Sequence, residues 1–180
     1  DHAAHHRWQL ATMTALAGLR SSLVIGFEVF PRRVQPVLER WVAGELSEDA
    51  FVEAVDWKSN WGFDAALYLP LFHFARGTRT RMLALNVGRE TVRAVASRGL
   101  AGVPVGEREA VTDPAPATPA YLDWLLPIYA SHRKAGTVVT REDAQFRSFV
   151  AVQLLWDRAM AQALAEAAAR HVASRMADDA

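Results

Sequence analysis

Apolar positions along the chain alternate between steps of three to four residues and short unbroken runs, a pattern that predicts helices around buried strands. Trp8, Leu10, Met13, Leu16 and Leu19 mark an amphipathic helix from His5 to Arg20, weakened in its last turn by Gly18. The run from Leu23 to Phe30 is apolar apart from Glu28 and rich in β-branched and aromatic residues, as expected of a strand buried on both faces. Pro31 suits the first position of the next helix, whose stripe is Val34, Val37, Leu38, Trp41 and Val42, and Gly44 ends it. Ser47 then caps a helix holding Phe51, Val52 and Val55, with Glu48 and Asp49 in its first turn.

An aromatic connection, Trp57 to Phe63, leads to a helical stretch from Ala65 to Ala75. Arg81 to Val87 is the second predicted buried strand, followed by a helix through Glu90, Val92, Val95 and Arg98. The alternation predicts an α/β protein, helix-rich around a small, mainly parallel sheet, with Glu28 and Asn86 at one rim. Four prolines between Gly102 and Pro119 predict a long surface loop. Two helices follow. One runs from Pro119 to Lys134 with Tyr121, Leu125, Ile128, Tyr129 and His132 on one face. The other begins near Thr140, with Asp143 as capping partner, and runs towards Met176. A helix of that length spans about 50 Å and should project, pair with another chain or break. The organisation expected is an α/β core over 1–101, a Pro-rich loop over 102–118 and a helical region over 119–180 packed on the core, one domain overall.

Composition narrows the function. Of 180 residues, 20 are Lys or Arg and 20 Asp or Glu, so net charge is zero, and no basic patch stands out that would bind nucleic acid. No apolar run is long enough to span a membrane. The absence of Cys excludes disulfides, thiolate metal sites and a thiol nucleophile. The chain opens at Asp1 without an initiator Met, which reads as a fragment or processed form.

Three groups could carry chemistry. His5 and His6 point about 100° apart on a helix and do not share an ion, whereas His2 and His6 stand one turn apart and could; a polar helix start is the simpler reading. Glu28, inside an apolar strand, requires a partner, for which Arg32 or Arg33 is at hand, or else serves a metal or proton chemistry. On the Tyr121/Tyr129/His132 face, a tyrosine phenolate is a hard donor suited to ferric iron, and His132 could support a bound anionic group. Aromatics at this spacing are more often core. Tyr68 and His73 form a similar pair turned apart by five residues. No phosphate loop, nucleophile elbow or His-Glu-x-x-His motif is present.

The chain as a whole resembles the ChaN-like haem-binding lipoprotein family of bacteria. The resemblance rests on His5-His6-Arg7-Trp8-Gln9, Gly26 to Arg32 with Gln35-Pro36, Trp41 through Ser47, Asp56-Trp57 with Trp61-Gly62-Phe63, Tyr68-Leu69-Pro70, Ala84 to Val87, and Gln153 to Met160. It implies an α/β domain and ferric haem held by a tyrosine oxygen between two protomers. It also implies iron acquisition on the periplasmic side of the envelope, with membrane attachment only through a lipid anchor outside this chain. Asp1 would close a Gly-Glu-x-His-Asp motif, and a further strand and a Gly-x-Gly-His-type turn would follow Ala180. Within this reading the protein is non-enzymatic, Tyr129 is the axial ligand because it shares a face with His132, Tyr121 and Trp124 wall the pocket, and an Arg neutralises a propionate. A more distant likeness to erythromycin-esterase and Tiki-type metal hydrolases supplies the alternative, a metal-dependent hydrolase using Glu28 as base or ligand.

Overall fold

The computed structural model describes residues 2–20, 22–134 and 136–178. The ends on which the resemblance places family motifs, Asp1 and the stretch after Asp178, lie outside the described residues. The protein is α/β: eight α-helices and a two-stranded parallel sheet among the described residues. The chain falls into two compact units, Asp1–Asn86 and Val87–Ala180.

The first unit carries α1 (Ala3–Leu19), β1 (Val24–Pro31), α2 (Gln35–Ala43), α3 (Glu48–Ala54), α4 (Trp57–Asn60), α5 (Leu69–Gly77) and β2 (Arg81–Asn86). β1 and β2 pair in parallel from Val24↔Arg81 to Phe27↔Ala84, with an irregularity before Pro31↔Asn86. A Cβ on Gly26 would come within 2.7 Å of Leu85 Cδ1, so glycine is what lets Leu85 fold over the sheet. Met82 to Leu85 are buried throughout, as the unbroken run predicted. β1 departs from its expectation: Val24 and Glu28 are exposed, because a sheet of two strands leaves part of its surface to solvent. Asn86 Nδ2 donates to the Glu28 carbonyl at 3.2 Å, which brings the two rim residues together through the backbone of one of them.

Pro31 closes β1 rather than opening a helix, and a 3₁₀ turn, Arg32–Val34, leads into α2. Gln35, the first residue of α2, turns its amide onto the outer edge of β2. Its Oε1 accepts the Ala84 N–H at 2.8 Å and its Nε2 donates to the Met82 carbonyl at 3.0 Å. The side chain thus does for β2 what a neighbouring strand would do. Gly44, at φ 84°, ends α2, and Ser47 Oγ accepts the Ala50 N–H at the start of α3, both as the sequence predicts. Between sheet and helices lies an aromatic core. Phe30 meets Phe27, Phe51 and Trp57 edge-on, and the fully buried Trp41 packs on Phe51 at 4.5 Å while donating to the Phe72 carbonyl at 2.9 Å.

The second unit holds α6 (Arg89–Arg98), α7 (Pro119–Ser131) and α8 (Ala144–Asp178). Glu109 accepts the Gly88 N–H and the Thr91 hydroxyl, placing a carboxylate at the start of α6, where the helix dipole favours it. The Pro-rich segment is more than a surface loop. Val103, Arg108 and Val111 are buried, and Arg108 pairs with Asp113 at 2.6 Å. Thr118 caps α7, and the Thr140 N–H donates to Asp143 just before α8. α8 runs unbroken for 35 residues. Its own unit covers one face from Phe146 to Ala167, with α6 and α7 packed against it, so that stretch needs neither a break nor a partner chain.

Candidate functional site

The residues that converge in the first unit come from α1, β1 and the aromatic connection. α1 begins at His2, whose Nδ1 accepts the Ala4 N–H, so the first turn is helical and His6 faces inward. His6 is 8% exposed, and its ring lies 4.3 Å from that of Tyr68. Its Nδ1 is 3.0 Å from Gln9 Oε1, an acceptor, so Nδ1 carries the proton there and the lone pair of the neutral ring falls on Nε2. That Nε2 is buried and makes no hydrogen bond among the described residues.

Tyr68 is held from the other side. It sits just before α5, buried against Trp57 at 5.0 Å, and Trp61 Nε1 donates to its phenolic oxygen at 2.7 Å. A donor fixed on that oxygen stabilises whatever negative charge the oxygen carries. Both side chains border a cavity of about 500 Å³ whose walls also include Trp8, Gln9, Met13, residues Ile25 to Val29 of β1, Trp61 and Leu71. The lining is largely apolar and aromatic, with few convergent polar groups, the make-up of small-molecule and cofactor sites. Glu28 borders the cavity from its exposed position on β1.

The face expected on α7 is distributed differently. Tyr129 is buried against Phe146 and Phe149, at 5.6 and 5.2 Å, donates to Gln145 at 3.3 Å, and has the Arg133 guanidinium 5.5 Å above its ring. His132 is the exposed C-cap residue of α7, just beyond its last turn. Trp124 is 62% exposed, with its ring 6.0 Å from Tyr121. Tyr121 borders a separate cavity of about 320 Å³ with the Pro114–Thr118 segment, Leu154, Asp157 and Arg158, and donates to Asp157 at 2.6 Å. His73 pairs with Glu48 at 2.7 Å, with its ring tilted against that of Trp41 at 5.2 Å. Among the described residues no three His, Asp or Glu side chains gather as a metal-ion site.

Partial burial first, then the bond to Asp157 and its charge, push the Tyr121 phenol up from its ordinary value near 10. Because the folded value is raised, the contribution to stability is complete below about pH 10 and is lost as pH rises towards the folded value. Urea unfolding between pH 8 and 11 should therefore show stability falling above about pH 10 with a one-proton dependence that Tyr121→Phe removes. An unchanged alkaline slope in the variant would refute the assignment.

The sequence pointed away from His6, reading it as part of a polar helix start; the signal it offered was the spacing to Gln9, one helical turn on and able to fix the ring. Trp61 sat in plain view in the aromatic connection and Tyr68 in the helical stretch after it, but nothing in their spacing places Tyr68 on His6.

The family model described as "Haem-binding uptake, Tiki superfamily, ChaN" matches residues 1–177, and the chain belongs to that family. No curated protein and no solved structure matches the chain.

Proposed function

From membership of a haem-binding uptake family, we propose that this protein holds ferric haem for bacterial iron acquisition or storage, with the phenolate of Tyr68 as the iron's oxygen ligand in the cavity of the first unit. The observation that carries the reading is the convergence beside one apolar cavity of a buried phenol, an indole N–H fixed on its oxygen and an imidazole whose buried Nε2 has no hydrogen-bond partner among the described residues. The residues fit the group: aromatic and aliphatic walls suit a flat macrocycle, and a phenolate is a hard donor matched to ferric iron. Bound haem would supply the iron's Lewis acidity and redox chemistry. The chain's part is to bind it, to exclude water with Phe27, Leu71 and Met13, and to hold the Tyr68 oxygen in place through Trp61.

From the resemblance to ChaN-like lipoproteins, the proposal extends to placement on the periplasmic side, attachment through a lipid anchor and a site shared by two protomers. Light scattering with and without haem checks that last element; a mass unchanged from monomer in both states overturns it.

A second reading, with Tyr129 as ligand, draws on the Arg133 cation above its ring, which would favour a phenolate there. One titration separates the two. Ferric haem added to the wild type should produce the charge-transfer band of phenolate-ligated iron. Tyr68→Phe should abolish that band and weaken binding by about 10-fold or more, while Tyr129→Phe leaves it. The reverse pattern moves the ligand to Tyr129. The metal-hydrolase alternative finds less support, since Glu28 is exposed and no cluster of three His, Asp or Glu side chains gathers among the described residues.

A further inference from the structure

His6 differs in its surroundings from the other histidines of its unit. His2 uses Nδ1 to cap α1, His5 is exposed, and His73 is engaged by Glu48, whereas His6 keeps a buried Nε2 bonded to nothing among the described residues. A buried polar atom without a partner is uncommon enough to need a reason. The arrangement around it matches what imidazole ligands of metals require: the other ring nitrogen donates to a fixed carbonyl oxygen, here Gln9 Oε1 at 3.0 Å, which sets the tautomer and the ring's orientation. The ring lies 4.3 Å from that of Tyr68, and both residues border the same cavity.

The two donors differ in preference. A phenolate is hard and favours ferric iron; an imidazole is softer and suits the ferrous ion. We propose that His6 is a second iron ligand of this pocket, taking the iron through Nε2 when it is ferrous, so that reduction moves the bond from Tyr68 to His6. The inference rests on the Tyr68 reading above. The exchange balances with one electron from a one-electron reductant. Fe(III) becomes Fe(II), the iron–oxygen bond breaks with its electron pair left on the Tyr68 oxygen, that oxygen takes a proton from solvent, and the Nε2 lone pair forms the new bond. Loss of the phenolate bond on reduction would give the pocket a means of loosening its hold on the iron from the tyrosine side without unfolding.

The test uses the full chain loaded with ferric haem, read by absorption and resonance Raman spectroscopy before and after anaerobic dithionite. The wild type should show phenolate ligation when ferric and an iron–histidine stretching band when ferrous. His6→Gly should retain the ferric phenolate band, lose the ferrous iron–histidine band, and recover it when free imidazole is added, a rescue that a packing role for the ring would not give. Gln9→Leu, which removes the acceptor on Nδ1, should shift the ferrous band to lower frequency. An identical ferrous spectrum in wild type and His6→Gly overturns the inference. Persistence of the ferric phenolate band in Tyr68→Phe overturns the tyrosine assignment instead, and the two failures are read in different oxidation states.

Discussion

Replacing Trp41 with alanine should lower the stability of the first unit by about 4 kcal/mol or more, while the same change at Trp124 should alter stability by less than about 0.5 kcal/mol. Trp41 is fully buried, packs on Phe51, lies beneath the Arg76 guanidinium at 4.6 Å and donates to the Phe72 carbonyl. Truncation removes a large aromatic surface from a core too dense to collapse fully, which alone costs about 3–5 kcal/mol. It also strands the Phe72 carbonyl, adding about 1–3 kcal/mol if no other donor reaches it. Trp41→Phe separates the two contributions, since it fills most of the space but cannot donate. Trp124 is mostly in water and loses little on truncation. Urea unfolding followed by far-UV circular dichroism checks both, because that signal does not depend on the indole removed. Similar midpoints for Trp41→Ala and wild type would mean that the aromatic core is not what holds β1 and α2 together.

How far the sequence could be read follows from the range over which each feature is determined. β2 was legible because a strand buried on both faces is one apolar run, whatever covers it. The cap at Ser47 and the stop at Gly44 are set by their own turns and stand where expected. Glu28 was misplaced by the same run-based argument, since whether a strand's second face is covered depends on elements elsewhere in the chain. The helix from Ala144 raised a question of length that its tertiary neighbours answer: a face buried through Ala167 within its own unit. The family was legible through motifs scattered along the chain, and the matched model agrees with it. The cavity was not legible. His6 and Tyr68 are far apart in sequence and meet because α1 packs against α5. A histidine on a polar helix start and a tyrosine in a predicted helical stretch carry no mark of that meeting. On α7 the spacing argument grouped Tyr129 with His132, but the helix ends at Ser131 and leaves His132 in solvent.

Gln35→Leu should cost about 2–6 kcal/mol and loosen the wall of the first unit's cavity with it, although Gln35 does not line that cavity. Its amide satisfies the Ala84 N–H and the Met82 carbonyl on the edge of β2 that faces away from β1. Ala84 and Met82 are buried, so leucine, which can neither donate nor accept, leaves two backbone groups without a partner, each worth about 1–3 kcal/mol. Gln35→Glu is the finer probe. A carboxylate still accepts from Ala84 but cannot donate to Met82 and sets a second acceptor against that carbonyl, so its cost should fall between wild type and leucine. Hydrogen exchange localises the effect: the Ala84 amide should exchange faster in Gln35→Leu by more than the global loss of stability accounts for. The consequence for function runs through register. Ala84 pairs with Phe27, and Phe27 stands on the cavity wall between Gly26 and Glu28. If β2 is held at its outer edge by one side chain, freeing that edge lets β1 shift against α1, and haem affinity should fall with Tyr68 and His6 intact. Unchanged Ala84 exchange together with unchanged haem affinity would show that the edge is protected by other means and that Gln35 only decorates it.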